Sequence, residues 1–373
     1  MKARDALTAW TLRCMALGRT RWTARAWLAL LRPASSVYGG VVSLRKALFA
    51  HGVATVRRLP VPVVSVGNLV VGGSGKTPFV EMLARRLQER GEQVAILLRG
   101  YRGGSARPAI ICDGRNLLSA PPTAADEAYL LGRRLRGVPV LTGSDRYQVG
   151  QLALKYLACG IILLDDGFQH LGLHRDLDIV LIDSGNPFGY GRLLPSGLLR
   201  ERPEALARAD LLVITHADLG LDLDATRRDI RRYAPTTPIA LAVHRPVSLI
   251  GPDGDEMPSH ALRGRRLVAC SGIANPRRFE ATLGRLGAVV LAHHVFPDHY
   301  VYSRGDLDAL LAAADKARAS MIVTTEKDMI KLSRLQSEGG RTPLHALSIA
   351  LELVEGGPTL DRMLNDLARP GSC

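Results

Sequence analysis

Residues 63 to 87, VVSVGNLVVGGSGKTPFVEMLARRL, constrain the fold more than any other stretch of the chain. The apolar run Val61 to Val66 reads as a buried strand, the glycines after it as a tight turn, and Phe79 to Leu87 as an amphipathic helix. A strand, a glycine-rich loop and a helix opening on Gly75-Lys76-Thr77 make the setting of a phosphate-binding loop. Backbone N–H groups converge there on phosphate oxygens at a helix N-terminus, a lysine neutralises the β- and γ-phosphates, and the next hydroxyl ligates magnesium. Gly72, Gly73, Ser74 and Gly75 supply the loop, with Lys76 and Thr77 in the charged and metal roles. The strict pattern G-x-x-x-x-G-K-[ST] fails at its first position, which is Val70.

The stretch GIILLDDGFQH ends an apolar strand on Asp165 and Asp166. Carboxylates at that edge suit a magnesium-nucleotide site, although a double acid after a strand also serves as a turn or helix cap. Asp126 and Glu127 begin an expected helix, either as a cap on its dipole or as a base that takes an acceptor's proton. His294, Asp298 and His299, in AHHVFPDHY, are further titratable candidates that the residues alone assign to no role.

Strands at 61–66, 93–98, 108–112, 138–142, 160–164, 178–183 and 210–215 alternate with helices at 77–90, 124–135 and 145–158. That order implies an α/β fold: a P-loop NTPase-like, mostly parallel sheet flanked by helices, with ligands beyond the carboxyl ends of its strands. A Pro/Gly-punctuated passage with an expected hairpin turn at 252–255, then strand signals at 267–270, 288–291 and 320–324, points to a second, smaller α/β domain. The expected division is residues 1–50 as a basic amphipathic segment, 51–240 as the P-loop domain and 241–373 as the smaller one.

The first 50 residues alternate Trp22, Trp27, Leu28, Leu30 and Leu31 with Arg13, Arg19, Arg21, Arg25, Arg32, Arg45 and Lys46. Arg13 interrupts any signal-peptide core, and no run of 18 apolar residues is present to span a bilayer. Such a segment lies in an anionic membrane interface or packs as a helix on the protein's own core. The net charge of +14, from 49 basic and 35 acidic side chains, favours anionic partners. With aromatics at only 5%, no nucleic-acid site is expected. The five cysteines, at 14, 112, 159, 270 and 373, show no paired spacing and fit a reducing cytosol. Nothing in the sequence bears on oligomeric state.

Two other functions fit parts of the chain. In VITHADL, Asp218 stands where a P-loop GTPase of the metallochaperone or maturation class accepts from guanine, but His216 replaces the lysine whose stem covers the ring. A lipid- or nucleic-acid-binding protein with a dead nucleotide site fits the charge but not the intact Lys76, Thr77, Asp126 and Asp166.

Eight motifs in order, SVGNLVVGGSGKTP, RGYRGG, ADEA, LDDGFQH, GRLLPSGLLRE, SGIANPRRF, FPDHY and TTEKDMIKL, resemble the tetraacyldisaccharide 4′-kinases of lipid A biosynthesis from about Trp27 to about Leu332. That family's P-loop also lacks the first glycine, which accounts for Val70. The resemblance implies ATP- and Mg2+-dependent transfer of the γ-phosphate to the 4′-hydroxyl of an acylated glucosamine disaccharide 1-phosphate, on the cytoplasmic face of the inner membrane. It implies that Lys76 and Thr77 hold phosphate and metal, that Asp165 and Asp166 with Gln169 and His170 form the Walker-B segment, and that Glu201 lies near the metal. Asp126 becomes the base, assisted by His299 with Glu127 nearby, while Arg99, Tyr101, Arg146 and Asn68 match the family without a sharp role. Leu98 where serine is common, Ala125 where glycine precedes the acid pair, and the varied end of DHY depart from the pattern without removing a charge carrier. The first 24 residues or so have no family counterpart.

Overall fold

The computed structural model describes residues 3–17, 21–100, 107–121, 123–219, 221–335 and 342–368. Tyr101 and Cys373 lie outside them. Three helices, α1 (Ala3–Leu17), α2 (Trp22–Leu30) and α3 (Arg32–Ala50), precede β1 (Val63–Asn68) and α4 (Lys76–Gln88). The chain continues through β2 (Val94–Leu98), β3 (Ala109–Asp113), α5 (Asp126–Arg134), β4 (Pro139–Thr142), α6 (Arg146–Tyr156), β5 (Ile161–Asp165), β6 (Leu177–Asp183), β7 (Leu211–Thr215), α7 (Leu223–Arg231) and β8 (Ile239–Ile250). Then come β9 (Glu256–Pro258), β10 (Arg266–Ser271), α8 (Pro276–Arg285), β11 (Val289–Val295), α9 (Arg304–Lys316), β12 (Met321–Thr325), α10 (Glu326–Leu332), β13 (Leu344–Glu355) and α11 (Gly357–Ala368).

These elements group into two compact units. The first holds the chain through Arg99, Gly143–Val243 and everything from Leu353, and the second holds Gly100–Thr142 and His244–Glu352. The expected junction near 240 falls close to one crossing, at 243/244, but the chain crosses three more times. Residues 100–142, expected inside the P-loop domain, group with the second unit. Residues 1–50, expected to stand apart, group with the first unit because α3 is bonded to it. Ser35 Oγ donates to Ser196 Oγ across 2.8 Å, and Tyr38 Oη donates to the Arg200 carbonyl across 3.0 Å.

In the first unit the strands run in the order β8-β7-β6-β1-β5-β2, all parallel. β1, β2, β5 and β7 are buried along their whole length, as expected of strands covered on both faces. Phe79, Leu83 and Leu87 on α4 and Phe168 after β5 are fully buried beside them. Transfer of each such side chain from water contributes roughly 1.5–3 kcal/mol. Register pairs Val66 with Asp165, so the loop after β1 and the acids after β5 leave the sheet side by side.

The second unit has its own parallel order, β11-β10-β12-β13, and its own core around Val268, Leu307, Ile322, Leu283 and Phe279. β9 pairs antiparallel with the end of β8 around the expected turn, and β3 and β4 form an antiparallel pair.

Candidate nucleotide site and the second carboxylate pair

Gly72 and Gly75 have φ of 130° and 81°, values that strain any residue with a Cβ, so the loop after β1 depends on glycine at these two points. Gly75 is the N-cap of α4, and Lys76 is the helix's first residue. Ser74 is buried with a structural part: its Oγ accepts from Asn68 Nδ2 at 2.9 Å and its carbonyl from Thr215 Oγ1 at 3.1 Å. The loop is therefore anchored to the strands beneath it, and no side chain caps the N-terminus of α4, whose dipole favours an anion there.

Thr77 Oγ1 donates to Asp165 Oδ2 across 3.1 Å, and Lys76 Nζ lies 3.6 Å from Asp166 Oδ1. Asp166 sits at φ 60°, an uncommon conformation for a residue with a side chain. Arg200 Nη1 donates to both of its oxygens, at 2.7 and 2.8 Å, and to Gln169 Oε1 at 3.2 Å. Burial pushes the Asp166 carboxyl up, but Lys76, Arg200 and Arg146 together outweigh that and hold it below the usual carboxylate range. Gln169 Nε2 in turn donates to the Asn68 carbonyl at 2.9 Å.

Arg146 is 2% exposed, and its Nη1 donates to the carbonyls of Gly143 and Ser144. Burial, followed by repulsion from Arg99, pushes it down to about 10, so it stays a cation at neutral pH. Burial first and Arg146 next push His170 down to about 4, so its imidazole is neutral there. Glu201 is buried and forked by Arg208, Nη1 to Oε2 at 2.9 Å and Nη2 to Oε1 at 3.2 Å, with Lys46 3.4 Å away.

Arg200 is the residue of this cluster that the sequence reading missed. It arrives because 198–200 pairs with 69–71: Val71 N donates to the Leu198 carbonyl at 2.8 Å and Arg200 N to the Leu69 carbonyl at 2.7 Å. The only sequence cue was its place beside Glu201 in LLRE.

The second unit carries the other acid pair. Asp126 and Glu127 open α5, and neither side chain caps it. Asp126 Oδ2 meets Lys331 Nζ at 2.8 Å, and Glu127 Oε1 meets Lys327 Nζ at 2.8 Å. His299 stands after β11 at φ 58° with its side chain 43% exposed and 4.0 Å from Asp298. No hydrogen bond or ion pair among the described residues joins it to Asp126. His294 lies within β11.

A glycine loop at the end of one parallel strand, with an acid pair at the end of its neighbour, defines a P-loop α/β protein of the nucleotide-binding type. The LpxK family, tetraacyldisaccharide-1-P 4′-kinase, matches residues 27–369. The chain belongs to that family. It is 42% identical over 335 residues to the tetraacyldisaccharide 4′-kinase of Anaeromyxobacter sp. (strain K), covering 89% of this chain and 88% of that one. It is 41% identical over 345 residues to that of Geobacter sulfurreducens, covering 91% and 95%. A crystal structure of LpxK from Aquifex aeolicus in complex with ATP aligns with a TM-score of 0.75 and 34% identity, over 92% of this chain and 100% of that one. The family match spans both units, which removes the GTPase and dead-site readings.

Proposed function

We propose that this protein transfers the γ-phosphate of ATP to the 4′-hydroxyl of a tetraacyl glucosamine disaccharide 1-phosphate, with magnesium, at the anionic cytoplasmic surface of the inner membrane. The observation that carries this reading is the family match from 27 to 369 together with Thr77, on the first turn of α4, and Asp165, at the end of β5, held 3.1 Å apart.

The residues present fit magnesium. Among the described residues no three His, Cys, Asp or Glu side chains gather as an all-protein cage. Magnesium needs none: it is commonly held by one or two oxygen ligands of the protein, with phosphates and waters completing the shell. The Thr77 hydroxyl and the Asp165 carboxylate are such a pair, whereas Asp166 has both oxygens engaged by Arg200 and Glu201 has both engaged by Arg208. Bound there, magnesium supplies charge neutralisation on the phosphate oxygens.

The chain's own groups do the rest. The amides from Gly72 to Thr77 receive phosphate oxygens, and the Lys76 ammonium offsets charge on the transferring group. Asp126 accepts the proton that leaves the 4′-hydroxyl as the new O–P bond forms, with His299 assisting. Arg99 and Arg146 add fixed positive charge around the phosphates.

The membrane surface is supported by α1 to α3. On α3 the exposed Val37, Val41, Leu44 and Leu48 recur at helical spacing, while Ser35 and Gly39 turn inward against Leu193 and Ser196. Trp10, Trp22 and Leu30 are exposed as well. No helix among the described residues is long and apolar enough to cross a membrane, so this face supports lying in the interface, with Arg25, Arg32, Arg45 and Lys46 for lipid phosphates.

The test is ADP release measured with and without a purified tetraacyl disaccharide 1-phosphate. Release that depends on both acceptor and magnesium, with ATP preferred over GTP, supports the reading. Release indifferent to the acceptor opposes it.

A further inference from the structure

The parallel strands of the second unit stand in the order β11-β10-β12-β13. The chain leaves β10 through α8 toward β11 and leaves β12 through α10 toward β13. These connections run in opposite directions, so the carboxyl ends of β10 and β12 form a switch point, where such sheets gather functional groups. Asp328 is fully buried there. Its Oδ2 accepts from Gly272 N, in the turn after β10, at 2.9 Å and from Thr325 Oγ1, at the end of β12, at 2.6 Å. A Cβ on Gly272 would stand 2.9 Å from Asp328 Oδ1, 3.0 Å from Tyr302 Oη and 3.2 Å from the Pro297 carbonyl, so glycine lets these groups close in on one point.

Through Tyr302 and Pro297, that point also meets the turn after β11. Phe296 N donates to the Ser271 carbonyl at 2.8 Å, and Tyr300 N closes the turn on the Pro297 carbonyl at 3.1 Å. The rings of Phe296, Tyr300 and Tyr302 pack on one another with centroids 4.9, 5.0 and 5.2 Å apart. Tyr302 is buried, and its Oη accepts from Cys270 Sγ at 3.8 Å. Burial first, then the Asp328 carboxylate and the Cys270 thiol, push its phenol up, so it stays a neutral donor beside Asp328. His299 sits within this braced turn at φ 58°, with its imidazole exposed. A left-handed residue that carries a Cβ persists where its surroundings over-determine it.

We infer that Tyr302 and Asp328 are positioning residues for phosphoryl transfer: together at the switch point of the second unit, they hold the 296–302 turn in the conformation from which the His299 imidazole reaches the acceptor hydroxyl. This rests on the reading of His299 as part of the transfer step. Both residues are buried and touch neither nucleotide nor acceptor, so they act through the backbone of the turn. A reacting group displaced by an ångström loses rate without loss of nucleotide binding.

The experiment compares Tyr302→Phe, which removes one hydroxyl and keeps the ring, and Asp328→Asn with Thr342→Val. Thr342 Oγ1 donates to Asp315 Oδ1 at 2.9 Å before the start of β13, so its loss breaks a hydroxyl–carboxylate bond at the opposite end of the same sheet. Expected is a fall in kcat of about 10-fold in Tyr302→Phe and about 10- to 100-fold in Asp328→Asn, with KM for ATP within about 2-fold. Thr342→Val keeps kcat within about 2-fold of the parent. In a His299→Gln background, Tyr302→Phe is expected to cost nothing further, a result that general loosening of the unit would not give.

Wild-type kcat in Tyr302→Phe overturns the proposal, and this variant decides the case if Asp328→Asn does not fold. An equal loss in Thr342→Val, or an undiminished cost of Tyr302→Phe on top of His299→Gln, overturns it as well. The two failures are distinguishable. A His299→Gln enzyme that turns over normally removes the reading of His299 and the brace's role with it, whereas an impaired His299→Gln beside an unimpaired Tyr302→Phe removes the brace alone.

Discussion

Thr77 on the first turn of α4 and Asp165 at the end of β5 share a hydrogen bond of 3.1 Å, although 88 positions separate them in the chain. A hydroxyl and a carboxylate in contact at the positive end of a helix are the kinds of oxygen ligand that would hold a hard divalent cation, which would supply charge neutralisation on phosphate. Thr77→Ala and Asp165→Asn should each lower kcat/KM by about 100-fold, and raise the magnesium concentration needed for half-maximal rate. Magnesium titration of the initial rate checks this, and an unchanged magnesium midpoint removes the pair from metal binding.

Lys76 has a different expected signature. It meets Asp166 at 3.6 Å in the structure, and an arriving phosphate offers it a better partner. Lys76→Met should weaken ATP binding and turnover together, measured by calorimetry and steady-state kinetics. Tight nucleotide binding without Lys76 would contradict its place in the phosphate cradle.

Asp126→Asn should leave ATP affinity within about 2-fold and reduce kcat by about 100-fold or more, because a base acts in the transition state rather than in binding. Parallel nucleotide titration and turnover separate the two. Retained kcat assigns proton removal elsewhere.

His170 links the site to acid stability. Burial, with Arg146 behind it, pushes the imidazole down to about 4, while the unfolded chain takes its proton near the ordinary value of 6.5. Above the ordinary value both states are neutral and nothing is lost; as pH falls from there toward 4, only the unfolded chain gains a proton and folding stability drains away. Thermal unfolding of the wild type should therefore lose ground to His170→Gln through this window and hold constant against it at higher pH. A constant difference throughout would mean His170 titrates normally.

The exposed stripe on α3 makes a prediction about surfaces. Val41→Glu with Leu44→Glu should reduce sedimentation with anionic vesicles severalfold while leaving the far-UV spectrum unchanged, since both side chains are more than half exposed. Unaltered sedimentation would place the contact elsewhere.

The sequence exposed the local parts of this architecture and hid the long-range ones. β1, its loop, α4 and the Asp165-Asp166 pair were legible because a buried run, glycines and a helical period adjoin one another. Arg200 was not, since it reaches Asp166 only through pairing of 198–200 with 69–71, a contact that no local pattern encodes. β8 runs through Pro246, whose missing N–H argues against a strand, and β13 follows a stretch without an alternation strong enough to read. The grouping of 100–142 with the second unit was hidden for the same reason: Asp126 meets Lys331 across 205 positions, and Glu127 meets Lys327 across 200. The N-terminal helices left two readings open, and exposure separates their faces: Ser35 and Gly39 turn inward, while Val37, Val41, Leu44 and Leu48 do not.

The most direct measurement follows the phosphorus itself. After incubation with γ-labelled ATP, magnesium and a tetraacyl disaccharide 1-phosphate, the label should reside on the 4′-oxygen of the distal glucosamine, located by phosphorus NMR and fragmentation mass spectrometry. Label found only in inorganic phosphate, or on another oxygen of the acceptor, would contradict the account.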